Sequence, residues 1–403
     1  MERVRAILAD VAARGDAALA DYTKRFDTDA VVSLRVPTEE LEAAWTALDA
    51  SDQAVIERAR RNVKAFHAAQ MPQDVEVETE PGVVCRREVR AIDTAGLYIP
   101  GGTAPLVSTV IMLATPAKVA GVRRRVLVSP PGKDGRIDPV ILACAYRCKV
   151  TDVFAVGGAQ AIAALAYGTD TIPRCDKIFG PGNAYVAAAK ALVSSAPGGP
   201  AIDMPAGPSE AMVICDETAD PAFIASDLLS QAEHDTVAQV LCVSCCPSVA
   251  EAVQGELDRQ VATLSRRDIA EASLAHARII VTDERIDIVD IVNRYAPEHL
   301  IVQMDRPELL VPAIRNAGSI FLGPWTPESV GDYASGTNHT LPTNGAARAY
   351  SGITLDSFLK YVSIQRLTKA GLKRLGPVVE RLAEMEGLDA HKNAVTLRLE
   401  AMQ

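Results

Sequence analysis

The sequence has no long apolar run, no basic excess and no short-period repeat. None of its 403 residues lies in a stretch that approaches the roughly 18 apolar residues of a membrane-spanning helix. The N-terminal segment "MERVRAILADVAARGDAALADYTKRF" is charged and amphipathic, so it lacks the apolar core of a secretory signal peptide. A net charge of −10 argues against the clustered basic surface that nucleic acids and anionic membranes require. We therefore expect a cytoplasmic protein whose partners include neither nucleic acid nor membrane.

The glycine-rich turns lack a nucleotide-binding fingerprint. The turns "IPGGTAP" (99–105), "VGGAQ" (156–160) and "GPGN" (180–183) each follow a predicted strand, and two of them open a helix. Glycine turns at helix N-termini favour phosphate. None of the three, however, has the spacing of a G-x-G-x-x-G motif or a P-loop. A dinucleotide site and ordinary tight turns of an α/β sheet are both compatible with these turns.

The eight cysteines also lack a convincing metal or redox motif. Cys242 and Cys245 have a C-x-x-C spacing, but they lie in the predicted strand "AQVLCVSCC". Side chains three residues apart in a strand point to opposite faces, so these two thiols cannot share a metal there. We expect buried structural thiols.

Predicted strands and helices alternate along most of the chain, which indicates an α/β protein. At 403 residues the chain is too long for one ordinary core, so two or more packed units are expected. The first alternating region begins near residue 106, and the second has the strands "AMVICD", "AQVLCVSCC", "ARIIVTD", "HLIVQM" and "GSIFLG". Strands separated by helices of this length predict parallel sheets with crossover helices. Residues 1–75 and 354–403 are predicted to be mainly helical.

Histidines are few, six in all, and four of them lie in polar segments that contain carboxylates. Gln231 and His234 are one turn apart on a predicted helix that begins at Asp220, so they project from one face. The other three segments pair Glu298 with His299, Asp332 with His339, and Glu386 with His391. Such side chains can ligate a divalent transition metal, and an acid beside an imidazole can act as a catalytic base pair. Surface and loop positions without a function are the alternative for each pair.

Seven stretches of the chain resemble the histidinol dehydrogenase family, in the order found in that family. They span Gly96 to Arg398 and read "GLYIPGG", "GPGN", "MPAGPSE", "LLSQAEHD", "APEHL", "GDYASGTNHTLPT" and "AHKNAVTLR". The resemblance implies oxidation of L-histidinol to L-histidine through bound L-histidinal with two NAD, the last two steps of histidine biosynthesis. It also implies two Rossmann-like parallel-sheet domains with small helical N- and C-terminal parts. The expected division is residues 1–97 with 209–353, a nucleotide-binding domain at 98–208, and a C-terminal helical dimerisation segment at 354–403.

The resemblance further assigns roles to individual residues. One zinc ion per subunit is expected on Gln231, His234, Asp332 and His391. His299 would take the alcohol proton as hydride leaves, and Glu298 would activate the water that hydrates the aldehyde. Substrate contacts are expected from the zinc ligands, from this catalytic pair, and from Ser209, His339 and Glu386. NAD contacts are expected from Tyr98, Gln160 and Asn183.

The resemblance implies a homodimer with exchanged C-terminal segments, so that Glu386 and His391 would enter the partner's site. Family members usually have a longer segment before the "ILADV" helix, which helps them dimerise. From the resemblance we therefore expect either a misassigned start or a reduced dimer contact, with the chemistry unaffected. Two other functions stay open: a related zinc and NAD dehydrogenase of another small polar alcohol, since specificity depends on few contacts, and a zinc- or nucleotide-binding module without catalysis. NADH formation with histidinol separates the three.

Overall fold

The structure is a computed structural model that describes residues 1–31, 33–101, 105–205 and 207–402. The chain forms two compact units, a larger one of Met1–Gln70 with Ile92–Phe358 and a smaller one of Met71–Ala91 with Leu359–Gln403. The helices are α1 (Glu2–Arg14), α2 (Asp16–Phe26), α3 (Thr38–Ala47), α4 (Ala50–Ala68), α5 (Val107–Ala120), α6 (Pro139–Arg147), α7 (Gly158–Tyr167), α8 (Ala184–Ser195), α9 (Pro221–Ala232), α10 (Pro247–Val261), α11 (Arg267–Leu274), α12 (Arg285–Tyr295), α13 (Glu328–Tyr333), α14 (Lys369–Met385) and α15 (Asp389–Glu400). The strands are β1 (Arg35–Val36), β2 (Val75–Glu80), β3 (Val83–Ala91), β4 (Thr94–Tyr98), β5 (Arg124–Ser129), β6 (Asp152–Ala155), β7 (Lys177–Phe179), β8 (Ala201–Ile202), β9 (Glu210–Cys215), β10 (Gln239–Ser244), β11 (Arg278–Val281), β12 (His299–Gln303), β13 (Ser319–Leu322) and β14 (Leu359–Leu367). Within the described ranges, no helix combines the length and the apolar character that crossing a bilayer requires.

The larger unit contains a first sheet of six strands in the order β1-β6-β5-β4-β7-β8. All neighbouring strands pair in parallel except β1, which is antiparallel to β6. The central residues of the parallel strands are apolar because the crossover helices cover them, and the polar residues lie at the strand ends. The helices α1, α7 and α8 share one core with side chains such as Val126 and Ile178. Tyr98 ends β4 and the turn 180–183 follows β7, so both lie at the carboxyl edge of the sheet. Ligands of open α/β sheets bind at this edge.

A second sheet in the same unit has five parallel strands in the order β11-β10-β9-β12-β13. Alternate residues of its strands enter two separate cores. Val213 packs with α9 and α10, whereas Met212 packs with α12, so helices cover both faces. The predicted α/β class, with two parallel sheets and crossover helices, is confirmed by this topology.

The smaller unit has an antiparallel sheet in the order β14-β3-β2, followed by α14 and α15. The prediction of helix for residues 354–403 is therefore correct for α14 and α15 but wrong for 359–367. β14 pairs with β3 along all nine of its residues, from Leu359 opposite Ala91 to Leu367 opposite Val83. Such cross-strand pairs stabilise the strand through residues that are remote in the sequence, and a local pattern cannot reveal them.

Candidate active site

The candidate site begins where β9 and β12 start side by side in the second sheet. His299, the first residue of β12, lies opposite Ala211 of β9. Its Nδ1 is 3.1 Å from the backbone carbonyl oxygen of Glu210, which accepts a hydrogen bond when Nδ1 is protonated. Glu298 accepts a hydrogen bond from the backbone N–H of Glu210, with 2.8 Å between N and Oε2. The starts of two neighbouring strands therefore fix the positions of both predicted catalytic side chains.

The short helix α13 brings two more carboxylates to the same imidazole. Glu328 and Asp332 are four residues apart, so they project from one face of the helix. Glu328 Oε1 lies 3.3 Å from Nδ1 of His299, and Asp332 Oδ1 lies 3.5 Å from its Nε2. Glu298 Oε2 is slightly farther away, 3.7 Å from Nδ1. Glu328 is absent from the site residues expected from the sequence, although its four-residue spacing from Asp332 is a signal that could have found it.

Burial and charge act in opposite directions within this cluster. Burial lowers the pKa of His299, but Glu298, Glu328 and Asp332 together raise it to about 10. Burial raises the pKa of Glu298 to about 7 and that of Glu328 to about 8, against the opposing charge of His299. Burial also raises the pKa of Asp332, but the nearby His299 ring, whose Nε2 is 3.5 Å from Oδ1, and its positive charge bring the net pKa below the ordinary value. At neutral pH and without a bound cation, the ring is therefore an imidazolium beside an ionised Asp332.

The end of α9 supplies the predicted ligands Gln231 and His234. α9 packs against α13, and the Ser230 hydroxyl donates a hydrogen bond to Glu328 Oε2 at 3.2 Å. Gln231 is buried, and its Oε1 has no hydrogen-bond partner within the described residues. His234 is accessible to solvent, yet the protein around it lowers its pKa by desolvation, with the charge of Asp332 opposing this shift. A neutral imidazole and an unpartnered amide oxygen are both suited to bind a ligand from this position.

Two predicted substrate-contacting residues border the same cluster. His339 Nδ1 lies 2.9 Å from the backbone oxygen of Asp332, and its Nε2 lies 3.3 Å from Oγ1 of Thr109. Burial lowers the pKa of His339, so its ring is neutral near pH 7 and acts through hydrogen bonds. Ser209 directly precedes Glu210, and its backbone carbonyl accepts a hydrogen bond from the N–H of Gln239.

The side chains of this cluster can hold a metal ion. In the part of the chain that the structure describes, His299, Glu328 and Asp332 form the group whose potential ligand atoms all lie within 4.8 Å of one another. Asp332 belongs both to this group and to the predicted zinc ligands. Two buried atoms, Oε1 of Gln231 and Nε2 of His299, have no hydrogen-bond partner among the described residues. Because buried polar atoms are normally paired, these atoms fit a site that receives a cation or a polar substrate.

The remaining two predicted site residues belong to the smaller unit. Glu386 follows the last residue of α14, and His391 lies in the first turn of α15. Both residues are exposed. The other ten predicted site residues all belong to the larger unit.

A cavity of about 930 Å³ lies at the carboxyl edge of the first sheet. Its lining includes all three residues that are predicted to contact NAD, namely Tyr98, Gln160 and Asn183. The Tyr98 hydroxyl accepts a hydrogen bond from the backbone N–H of Gly158 at 3.2 Å, and the Asn183 side chain caps α8. All three glycine-rich turns thus contribute to one cavity; the turn 99–105 does so through Gly101 and Pro105, and its residues 102–104 lie outside the described residues.

Comparison with known proteins extends over the whole chain. The histidinol dehydrogenase family model matches residues 1–399. The histidinol dehydrogenase of Vibrio parahaemolyticus is 53% identical over 396 residues, covering 98% of this chain and 91% of the relative. The enzyme of Xanthomonas campestris pv. campestris is 52% identical over 398 residues, covering 99% and 92%. The crystal structure of histidinol dehydrogenase from Elizabethkingia anophelis matches with a TM-score of 0.96 at 45% identity, covering 100% of this chain and 92% of that chain. This chain therefore belongs to the histidinol dehydrogenase family and is an oxidoreductase of histidine biosynthesis.

Proposed function

We propose that this chain oxidises L-histidinol to L-histidine through bound L-histidinal, with two NAD molecules as hydride acceptors and one zinc ion per subunit. Identity above 50% to histidinol dehydrogenases over nearly the whole chain supports histidinol as the substrate. The observation that carries the proposal is the buried His299, which lies between the carboxylates of Glu328 and Asp332 and beside Glu298. This arrangement places a base for the alcohol proton, His299, beside a carboxylate that can activate water, Glu298.

In the first half-reaction, His299 in its neutral form takes the hydroxyl proton of histidinol at Nε2. Nδ1 is directed at the carbonyl oxygen of Glu210, so Nε2 is the nitrogen that is free to accept a proton. As the O–H electron pair forms the carbon–oxygen double bond, the hydrogen on the same carbon leaves as hydride to NAD. The products are histidinal, NADH and a protonated His299, which must release its proton before the next step.

In the second half-reaction, Glu298 accepts a proton from water as the water oxygen bonds to the aldehyde carbon. A pKa of about 7 leaves a carboxylate available near and above neutral pH, and it is also high enough for useful proton affinity. The hydrate then gives a proton to His299 and a hydride to the second NAD. The carboxylic acid that results is histidine.

The metal would be held by Gln231, His234 and Asp332 together with His391 of the partner subunit. When bound, zinc supplies a Lewis acid that orients the substrate imidazole and amine and offsets the carboxylate charge around His299. The unpartnered Oε1 of Gln231 supports its assignment as a neutral ligand. Tyr98, Gln160 and Asn183 would hold NAD in the cavity that they line.

The test is NADH formation by the purified full-length chain with histidinol as substrate. We expect two NADH per histidinol consumed, histidine as the product, and about one divalent ion per chain by elemental analysis. Chelation should abolish turnover, and added zinc or manganese should restore it. His234→Ala should weaken metal retention more than NADH binding.

Three outcomes would contradict parts of this proposal. Full activity of protein shown to be metal-free would exclude the zinc assignment. Oxidation of another small polar alcohol without oxidation of histidinol would change the substrate. A stoichiometry of one NADH, with histidinal released as the product, would remove the second half-reaction.

A further inference from the structure

A buried ion pair lies directly behind the glycine turn that follows β7. Lys190 of α8 and Asp203, which follows β8, are in direct contact, and their side chains are 5% and 1% exposed. Burying two charges costs free energy that close pairing and additional hydrogen bonds must offset. Neither residue takes part in the chemistry described above, so the additional hydrogen bonds indicate what the pair holds in place.

Both charged groups bind the backbone of the same residue, Gly180. Lys190 Nζ donates a hydrogen bond to the Gly180 carbonyl oxygen at 2.8 Å. The Gly180 N–H donates to Asp203 Oδ2, also at 2.8 Å, and the N–H of Met204 donates to Asp203 Oδ1 at 2.9 Å. The backbone N–H of Gly180 is therefore bound by the negatively charged Asp203, and its carbonyl oxygen by the positively charged Lys190.

Gly180 is also the point at which the turn meets the end of β4. Its φ of +119° lies in a region that glycine adopts without strain. A Cβ atom built there would lie 2.1 Å from the backbone oxygen of Tyr98, so a side chain is sterically excluded. Asn183 ends this turn, and both Tyr98 and Asn183 line the cavity of about 930 Å³. The position of Gly180 thus determines the distance between two parts of the cavity wall.

We propose that Lys190 and Asp203 are positioning residues for the dinucleotide. They fix the turn 180–183 against Tyr98, so that this part of the cavity wall is formed before NAD binds. Binding to a wall that is already ordered avoids the entropic cost of ordering it, which raises affinity. The inference rests on the proposed function because it takes the cavity as the NAD site.

The test is titration of the zinc-loaded full-length protein with NADH, followed by nucleotide fluorescence. Lys190→Met removes the ammonium group at similar side-chain length, and Asp203→Asn removes the charge but keeps an oxygen that can accept the Gly180 N–H. We expect the Kd for NADH and the KM for NAD to rise roughly 10-fold to 100-fold, the effect of a displacement of about 1 Å in a binding group. The kcat at saturating NAD and the KM for histidinol should stay close to those of the unaltered protein.

Asp152→Asn provides a matched control in the same sheet. Asp152 is buried and pairs with Arg124 at 2.9 Å, but both residues begin their strands and so lie at the amino edge, away from the cavity. This variant should lower the melting temperature and leave the affinity for NADH unchanged. If it weakens NADH binding as much as Lys190→Met does, the effect is general destabilisation and the proposal is wrong.

Affinity within about twofold of the unaltered protein, in folded Lys190→Met and Asp203→Asn variants, would also overturn the proposal, because even modest misplacement predicts a larger loss. If Lys190→Met does not fold, Lys190→Arg takes its place, since it keeps the charge but changes the geometry at Gly180. Gln160→Ala separates this inference from the function on which it rests. If Gln160→Ala leaves NADH affinity unchanged while Lys190→Met lowers it, the NAD site is misassigned although the ion pair still acts on binding.

Discussion

The two ring nitrogens of His299 have different surroundings, which suit Nδ1 to anchor the ring and Nε2 to exchange protons. Nδ1 faces the Glu210 carbonyl oxygen and the carboxylate of Glu328, both close to 3 Å away. Nε2 is buried near Asp332 and has no hydrogen-bond partner among the described residues. Because Nδ1 anchors the ring, Nε2 points in a defined direction, as a general base requires. Under the proposed function, this arrangement suits Nε2 of His299 to act as the general base.

Variants of Glu298 and His299 should fail in different steps. His299→Ala should slow hydride transfer from histidinol roughly 10²- to 10⁴-fold, the usual contribution of a general base. Glu298→Gln keeps the size and much of the hydrogen bonding but loses the base, so it should slow oxidation of histidinal more than oxidation of histidinol. Single-turnover measurements that start from each substrate provide the comparison. Equal losses in both half-reactions for Glu298→Gln, at unchanged zinc content, would mean that the side chain only shapes the loop.

Much of this site could be predicted from the sequence, but its surroundings could not. The neighbours Glu298 and His299 are visible in "APEHL", and the resemblance to the family supplies their expected roles. Glu328 and Glu210 reach His299 from distant segments, and their contacts depend on how strands and helices pack. The raised pKa of His299 is a property of that packing, because it comes from three carboxylates in a buried volume.

At the scale of elements, α9 combines an exposed N-terminal cap with a buried acid near its middle. Asp220 caps the helix by accepting a hydrogen bond from the N–H of Ala222. Asp227, two turns later, is buried and accepts a hydrogen bond from Nε2 of Gln303 at 3.4 Å. Burial raises the pKa of Asp227 to about 6 from an ordinary value of 3.8. The helix that supplies Gln231 thus contains a carboxyl group whose ionisation the fold disfavours.

The stability of the protein should therefore change with pH through Asp227. Between about pH 4 and pH 6 the folded state binds this proton and the unfolded state has released it, so stability falls as pH rises through that window. Asp227→Asn removes this dependence. The free energy of unfolding of the variant, relative to the unaltered protein, should increase between pH 4 and pH 7 in urea titrations. Asp220→Asn keeps a good N-cap and serves as the control; its difference from the unaltered protein should stay constant over the window. A constant difference for Asp227→Asn as well would show that Asp227 ionises normally.

Helices and strands can be predicted from the sequence where neighbouring residues alone determine the pattern of apolar side chains. Buried parallel strands such as β9 and β12 form apolar runs between helices, and their type follows from composition and spacing. β14 is mostly exposed and its partner strand lies more than 260 positions away, so its neighbours in the sequence do not determine its conformation. α13 is not predictable for a related reason: at six residues, it is too short to produce a periodic pattern.

At the scale of the whole molecule, the proposed homodimer makes a direct prediction about shared sites. If His391 acts in the site of the neighbouring subunit, chains with His391→Ala and chains with His299→Ala should each be inactive alone. After subunit exchange, a mixed dimer regains one intact site, so activity should return. The maximum activity is limited by the fraction of mixed dimers that random association of the two kinds of chain produces. Differently tagged subunits establish that exchange occurred, and exchange between two His299→Ala preparations is the control. Proven exchange without recovery of activity would place His391 in the site of its own chain or outside the site.

The cavity lies at the carboxyl edge of the first sheet, whereas His299 and Glu210 lie at the amino edge of the second. Open α/β sheets normally bind ligands at carboxyl edges, so under the proposed function the second sheet would use the edge at which such folds usually bind no ligand. Under the proposed function, the groups that recognise the alcohol and those that recognise the nucleotide have no residue in common. Substitutions that change the alcohol specificity and substitutions that change the hydride acceptor would then lie in separate parts of the gene. Evolution could therefore change one specificity without changing the other.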